Sequence, residues 1–343
     1  MSANIPPAGA DHWTECLSGD ARRLEAELAS LRAQIDLCCN LGGLQLGSPV
    51  LVASGTYGFG REYGALYSPA LLGAVCTKCV TLEPRAGNVP PRVTETPAGM
   101  LNSIGLENPG VDVFLREELP WLRDQGARVV VNIAGHTVAE YGRLTARLDG
   151  TPGIAGLEVN VSCPNVDRGG MAFGVSAKST EAVMRVIRKE TSLPLICKLT
   201  PNVTDVTEIA RAAEESGADV LSLINTLLGM AIDIETRRPV IGNTFGGLSG
   251  PAVKPVALRM VWQVRQAVKL PLLGLGGIAC AEDAVEFILA GASAVAVGSG
   301  TFSNPLLPLE VTVGLGGYLK RTGLRLADAV GLAHRPQGKE ATT

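Results

Sequence analysis

Ser54, Lys78, Asn132, Asn160, Lys198 and Asn225 each stand at the end of a short apolar run, and two further runs end in glycine, at Gly276 with Gly277 and at Gly298. Taken singly, each polar residue reads equally well as a cap or turn residue, because Asn and Ser favour turns. Brought to one opening, they suit a particular ligand. Three amides and two ammonium groups match a flat heterocycle rich in carbonyl and N–H groups, since an amide both donates and accepts. Lys78 and Lys198 supply positive charge for an anionic ligand, or for negative charge that develops during a reaction. The glycines suit a phosphate, because backbone N–H groups reach it there without side chains in the way.

One run continues as Ser162-Cys163-Pro164-Asn165. Its cysteine, in a loop constrained by Pro164 and flanked by Asn160 and Asn165, is placed to act as a base or nucleophile; position alone equally allows a small inert packing residue. The histidines are His12, His136 and His334, none beside Cys163, which argues against a Cys/His protease-type pair. The eight cysteines are dispersed and several lie inside apolar runs, the usage of reduced thiols and not of a disulfide framework. Cys76-Thr-Lys-Cys79 spells C-x-x-C, but no second pair and no His pair stands at metal spacing. No metal is expected, and the pair reads as small apolar residues flanking the end of a buried strand.

The elements that must position these groups follow from the pattern of the runs. Val50 to Ser54, Ala74 to Lys78, Val129 to Asn132, Leu157 to Asn160, Leu195 to Lys198, Val220 to Asn225, Pro271 to Leu275 and Ala294 to Gly298 are solidly hydrophobic, as parallel strands covered on both faces are. Helical patterns occupy Val111 to Asp124, Ala139 to Leu148, Ala177 to Glu190, Asp205 to Ser216, Val253 to Val268 and Glu282 to Ala290. Gly217 and Gly291 stand where a helix C-terminus favours glycine. Eight strands with intervening helices predict an α/β fold, a (β/α)8 TIM barrel, whose active site lies at the C-terminal strand ends. A doubly wound open sheet is the alternative, but its G-x-G-x-x-G fingerprint is missing from the first strand-to-helix turn. Thr81 to Gly110 and Thr226 to Gly250 are too long for bare connections and are expected as loops covering the C-terminal face.

Residues 1–36 differ in character from the barrel at 37–343. Leu17, Ala21, Leu24, Leu28, Leu31 and Ile35 recur at alternating spacings of four and three, with Arg22, Arg23, Glu25, Glu27 and Arg32 between them. This pattern predicts an amphipathic helical extension, packed on the closed end of the barrel or docking a partner.

The chain of 343 residues is 46% hydrophobic, enough for one large domain with a full core. Its formal net charge of −3 offers no single-sign field for nucleic acid or an anionic membrane. The 41 glycines exceed the ordinary share of about 7% and mark backbone that needs positive φ or close approach to a neighbour. The longest uncharged stretch, Phe287 to Leu309, is broken by Gly291, Gly298, Gly300, Asn304, Pro305 and Pro308, and reads as helix end, strand and loop, not as a membrane span. Met1 to Ala10 shows no basic region followed by an apolar core, so no secretory signal is read and a cytoplasmic location is expected.

The longer motifs are Ala53-Ser-Gly-Thr-Tyr-Gly-Phe-Gly60, Leu82-Glu-Pro-Arg-Ala-Gly-Asn88, Glu95 through Gly110, Asn160-Val-Ser-Cys-Pro-Asn165, Lys198-Leu-Thr-Pro-Asn202, Leu221-Ser-Leu-Ile-Asn-Thr226, Gly246-Gly-Leu-Ser-Gly-Pro251 and Gly274-Leu-Gly-Gly277. From about Leu41 to Pro308 the chain resembles, in register, the class 1 dihydroorotate dehydrogenases, and more closely the catalytic subunit of their type B. The resemblance implies an FMN-dependent flavoprotein of de novo pyrimidine biosynthesis that oxidises (S)-dihydroorotate to orotate. It places FMN at Ser54, Lys78, Cys79, Asn132, Asn160, Lys198, Ile224, Gly250, Gly276, Gly277, Gly298 and Ser299. Dihydroorotate or orotate falls at Lys78, Asn102, Ser103, Ile104, Gly105, Leu106, Asn160, Asn225 and Thr226, with Asn165 close by. Cys163 falls on the catalytic base, which removes the C5 proton while hydride passes from C6 to the flavin. Cys79 replaces the small residue usual after Thr-Lys, Ser299 replaces a threonine in the phosphate loop, and residues 1–36 have no counterpart.

Type B resemblance, strongest in the Asn165-Val-Asp-Arg-Gly-Gly170 loop, also implies partners: a homodimer core of this chain with a subunit carrying FAD and a [2Fe–2S] cluster that relays electrons to NAD. Two enzyme alternatives stay open, a related flavoprotein acting on another dihydropyrimidine and a phosphate-binding barrel lyase or isomerase without flavin. A non-enzymatic protein gives no reason for the polar strand ends or for Cys163.

Overall fold

A computed structural model describes residues 10–162 and 172–335. Each of the eight apolar runs forms a strand: β1 (Val50–Val52), β2 (Val75–Cys76), β3 (Val129–Ile133), β4 (Ile154–Asn160), β5 (Leu195–Lys198), β6 (Val220–Leu223), β7 (Leu272–Leu275) and β8 (Ala294–Val297). They close into one parallel barrel in which sequence neighbours are spatial neighbours and β8 pairs β1 through Val295 and Val50. The predicted (β/α)8 architecture is the observed one.

Strand alternation divides the apolar residues between two cores. Val52, Val75, Val129, Val131, Leu157, Val159, Leu195, Leu221 and Val295 face outward and join the helices in the larger cluster. Leu51, Ala74, Cys76, Val130, Ile196, Val220, Leu273 and Ala294 face inward and fill the barrel. An antiparallel hairpin, Cys39–Leu41 with Leu44–Leu46, adds Leu41, Leu44 and Leu46 to this inner cluster. The last inward position of several strands is polar instead, which opens the C-terminal mouth to a ligand.

Helices Val138–Leu148, Ala177–Glu190, Val206–Glu215, Lys254–Ala267 and Ala281–Ala290 match the predicted segments to within a residue or so. Thr137 and Asp205 cap the first and third of these, their side chains accepting from the amides of Glu140 and Thr207. The segment predicted from Val111 to Asp124 is helical throughout but takes a π-helical stretch at Phe114–Glu118, just ahead of Pro120, which has no N–H to give the carbonyl four residues back. Leu307–Thr322 forms a further long helix.

The amphipathic extension forms helix Ala10–Arg32 and packs alongside Leu307–Thr322. Ala21, Leu24, Leu28 and Leu31 are buried in the larger core. Leu31 occupies the notch left by Gly316, where an added Cβ would stand 2.2 Å from its Cδ2. The Arg32 guanidinium donates to Leu71 O (3.0 Å).

The two long connections are not bare loops. Val93–Thr96 and Gly99–Asn102 from the first join Leu227–Gly229 and Gly246–Ser249 from the second in one four-stranded antiparallel sheet. The pairing of Leu101 with Leu248 ties the two connections into a single cover.

Candidate active site

At the C-terminal strand ends lies a cavity of about 510 Å³, within the range of roughly 300–1,000 Å³ that holds small-molecule ligands. Ser54, Lys78, Cys79, Asn132, Asn160 and Lys198 line it from the first five strands. Ile224, Asn225 and Thr226 follow β6, Gly276 and Gly277 follow β7, and Gly298 and Ser299 follow β8. Asn102, Ser103, Ile104, Gly105 and Leu106 reach in from the cover. Gly250 does not line the cavity; it packs behind Gly277, its carbonyl oxygen 2.9 Å from where a Cβ on Gly277 would stand. Cys163 and Asn165 lie outside the described residues, as does the rest of the loop to Gly170.

The floor of the cavity is a buried polar network. Lys198 Nζ donates to Ser54 Oγ (3.1 Å) and stands 3.7 Å from Glu158 Oε2. Asn132 Nδ2 donates to the same carboxylate oxygen (2.6 Å), and Ser222 Oγ donates to Oε1 (2.9 Å). Glu158 is 1% exposed, so its charge meets these groups and almost no water. Neither Glu158 nor Ser222 was expected here. The signal for the first was an acid in the middle of the apolar run Leu157-Glu158-Val159.

On one wall, Asn225 Nδ2 donates to Ser162 Oγ (2.9 Å) and Asn160 Oδ1 (3.3 Å), while its own Oδ1 accepts from the Thr226 amide (2.8 Å). Tyr141 OH donates to Asn160 O (2.6 Å), fixing the end of β4 from behind. These contacts hold Ser162 in place just past the end of β4.

The cover is braced from its own motif. Asn88 Nδ2 donates to the carbonyl and hydroxyl oxygens of Ser103 (3.1 and 2.9 Å). Arg92 donates to Asn88 O, to Ala86 O and to Glu107 Oε2, the last at 2.6 Å. Gly105 takes φ +76 with its missing Cβ side against Asn88, where a methyl would stand 2.5 Å from Oδ1. Asn88 and Gly105 therefore hold the 102–106 segment in one conformation.

Opposite, Gly277 takes φ +80, and a Cβ there would lie 2.7 Å from the Lys254 backbone nitrogen and 2.9 Å from Gly250 O, so only glycine fits this turn against the backbone behind it. Asp283 braces the turn that follows, accepting from the amides of Ala279 (2.8 Å) and Cys280 (3.2 Å) and from Lys254 Nζ (2.6 Å). Burial raises its pKa, but the Lys254 and Ala279 hydrogen bonds outweigh that and hold the carboxyl below its ordinary value.

Two buried thiols of the barrel strands, Cys76 and Cys197, are poor nucleophiles. Burial, with Glu158 nearby, pushes Cys197 up to about 12 and Cys76 well above the ordinary thiol value.

A family model described as dihydroorotate dehydrogenase matches residues 36–319. The chain is 59% identical over 299 residues to the dihydroorotate dehydrogenase B (NAD(+)) catalytic subunit of Desulforudis audaxviator, covering 87% of this chain and 97% of that protein. It is 55% identical over 302 residues to the protein of the same name from Desulforamulus reducens, covering 88% and 99%. The matched stretch carries every site residue discussed above and leaves out the helix at Ala10–Arg32.

Proposed function

Because the chain belongs to the dihydroorotate dehydrogenase family, we propose that it oxidises (S)-dihydroorotate to orotate in pyrimidine synthesis, with FMN as its resident redox group. The observation that carries this reading is the convergence of the polar strand ends, the glycine turns after β7 and β8 and the 102–106 segment on one cavity.

Two features of the chain suit FMN. Asn132 Oδ1 is buried and has no hydrogen-bond partner among the described residues, the condition of a group that meets an N–H of a ligand. Gly276, Gly277 and Gly298 line the cavity without side chains after β7 and β8, where a phosphate is favoured. Ser54, Lys78, Cys79, Asn132, Asn160, Lys198, Ile224, Gly276, Gly277, Gly298 and Ser299 would hold the cofactor, with Gly250 supporting from behind. When bound, FMN supplies the redox chemistry by accepting hydride from C6 of the substrate.

The remaining work falls to side chains. Lys78 pairs with ligand anions, and Asn102 to Leu106, Asn160, Asn225 and Thr226 orient the substrate ring, with Asn165. Cys163 takes the C5 proton as its thiolate; a free thiol titrates at about 8.5, so positive charge and oriented amides in the site would help to populate the base. Lys198, buried, offsets negative charge that gathers in the site. The brace from Asn88 to Ser103 holds the substrate segment in place over the cavity.

The relatives are named as catalytic subunits of an NAD(+) enzyme. In the same reading a dimer of this chain passes electrons to a partner subunit carrying FAD and a [2Fe–2S] cluster, and the activity is cytoplasmic. No described helix is long and apolar enough to cross a membrane.

The visible spectrum of pure protein tests the core of the reading. Flavin absorbance at about one FMN per chain, bleached on anaerobic addition of dihydroorotate, is the expected result. Protein that stays colourless after incubation with FMN, or flavin that another dihydropyrimidine bleaches and dihydroorotate does not, would overturn it.

A further inference from the structure

We propose that Glu158 is a positioning residue for the cofactor: it sets the hydrogen-bond polarity that Asn132 presents to the flavin ring and tempers the charge of Lys198. The inference rests on the FMN reading. Glu158 sits one layer below the cavity and does not line it. Apart from Asn132, Ser222 and Lys198, the inward residues at that depth and below, Cys76, Val130, Ile196, Val220 and Leu273, are apolar, so a carboxylate is retained here against a desolvation penalty.

The geometry says what the carboxylate does. An ionised carboxylate only accepts, so the Asn132 group 2.6 Å from Oε2 must be the NH2. That choice leaves Asn132 Oδ1 as the atom turned away from Glu158, and Oδ1 is the one without a partner among the described residues. The cavity therefore offers a fixed acceptor, matched to a ring N–H and mismatched to a ring carbonyl. Strand register maintains the arrangement, since Asn132 on β3 pairs directly with Glu158 on β4.

Lys198 is bound differently. Its ammonium donates to Ser54 at 3.1 Å and keeps 3.7 Å from Glu158, a counter-ion within Coulomb reach but beyond hydrogen-bond contact. Lys198 thus lines the cavity with its charge reduced but not cancelled. Electron uptake places negative charge in the site, and the net charge of this pair biases how readily that happens.

Two variants separate the two effects. Glu158→Gln keeps an acceptor for Asn132 and removes the charge; the reduced flavin should then be favoured at least tenfold, a rise of about 30 mV in the two-electron midpoint potential. Glu158→Leu removes the acceptor too, frees the Asn132 amide to turn, and should weaken FMN binding to apoprotein at least tenfold. Thermal unfolding of both apoproteins checks that they are folded. Wild-type protein that takes up no FMN would overturn the cofactor reading and this inference with it. FMN-loaded wild type beside variants that match it in both potential and affinity would overturn the inference alone.

Discussion

Lys254 Nζ stands 2.6 Å from Asp283 Oδ1, a contact that joins the start of helix Lys254–Ala267 to the first turn of Ala281–Ala290. Between those two helices runs β7 and the Gly276–Gly277 turn, so the ion pair clamps the backbone that is proposed to meet a phosphate. The same carboxylate holds the amides of Ala279 and Cys280.

The clamp has a pH dependence of known sign. Asp283 titrates below its ordinary value in the folded chain, so its stabilisation is complete above the unfolded carboxylate value and is lost as pH falls through the folded one. Asp283→Asn should cost roughly 1–3 kcal/mol at neutral pH, the scale of hydrogen bonds to a charged group. It should also flatten the acid side of the stability profile. Denaturant midpoints at neutral pH and at successively lower pH read both effects, and a variant that parallels wild type throughout would remove the clamp from the account.

Cys163→Ala should retain FMN yet slow flavin reduction by dihydroorotate by at least about 10²-fold, the ordinary loss when a positioned base is removed. Cys163→Ser should keep a little activity that rises with pH, because a hydroxyl is a far weaker acid than a thiol. Stopped-flow bleaching of the flavin measures each. Near wild-type reduction by the alanine variant would exclude Cys163 as the base.

Much of this site was legible because a barrel sorts its residues simply. In a parallel barrel the strand ends converge on the C-terminal mouth, and Ser54, Lys78, Asn132, Asn160, Lys198 and Asn225 all line the cavity there. Glu158 was passed over because it lies inside its run, where the inward face is visible only once Asn160 is known to share it. The sheet over the mouth was read as loop because its strands are three or four residues long and its central pairing spans more than a hundred positions, as Leu101 is with Leu248. Helix Leu307–Thr322 was missed for a different reason. Gly314, Gly316 and Gly317 lower its intrinsic propensity, and packing against Leu31 and Ile35 supplies what propensity does not.

The N-terminal helix yields a direct test of whether it belongs to the barrel. Leu28 is 1% exposed within the main core, and Leu28→Ala should destabilise the whole chain by about 2–5 kcal/mol as a core truncation does. A helix held in reserve for another protein would give no such loss, and an unchanged denaturation curve would return it to that role.

The last prediction concerns where the electrons go. The eight cysteines are dispersed, with no four clustered as an iron–sulfur centre needs, and no dinucleotide fingerprint stands at the first strand-to-helix turn. Relatives that match over 87% and 88% of this chain are catalytic subunits of an NAD(+) enzyme, which fits a chain that reduces its own flavin and hands electrons to another polypeptide. The isolated chain, supplied with dihydroorotate, should therefore reduce an artificial dye and leave NAD unreduced. Fumarate should turn over poorly, since an enzyme that discharges to fumarate needs no second subunit. Adding a partner subunit that carries FAD and a [2Fe–2S] cluster should restore NAD reduction while leaving the rate of flavin bleaching by dihydroorotate within a few-fold. Rapid NAD reduction or efficient fumarate turnover by the lone chain would overturn the relay.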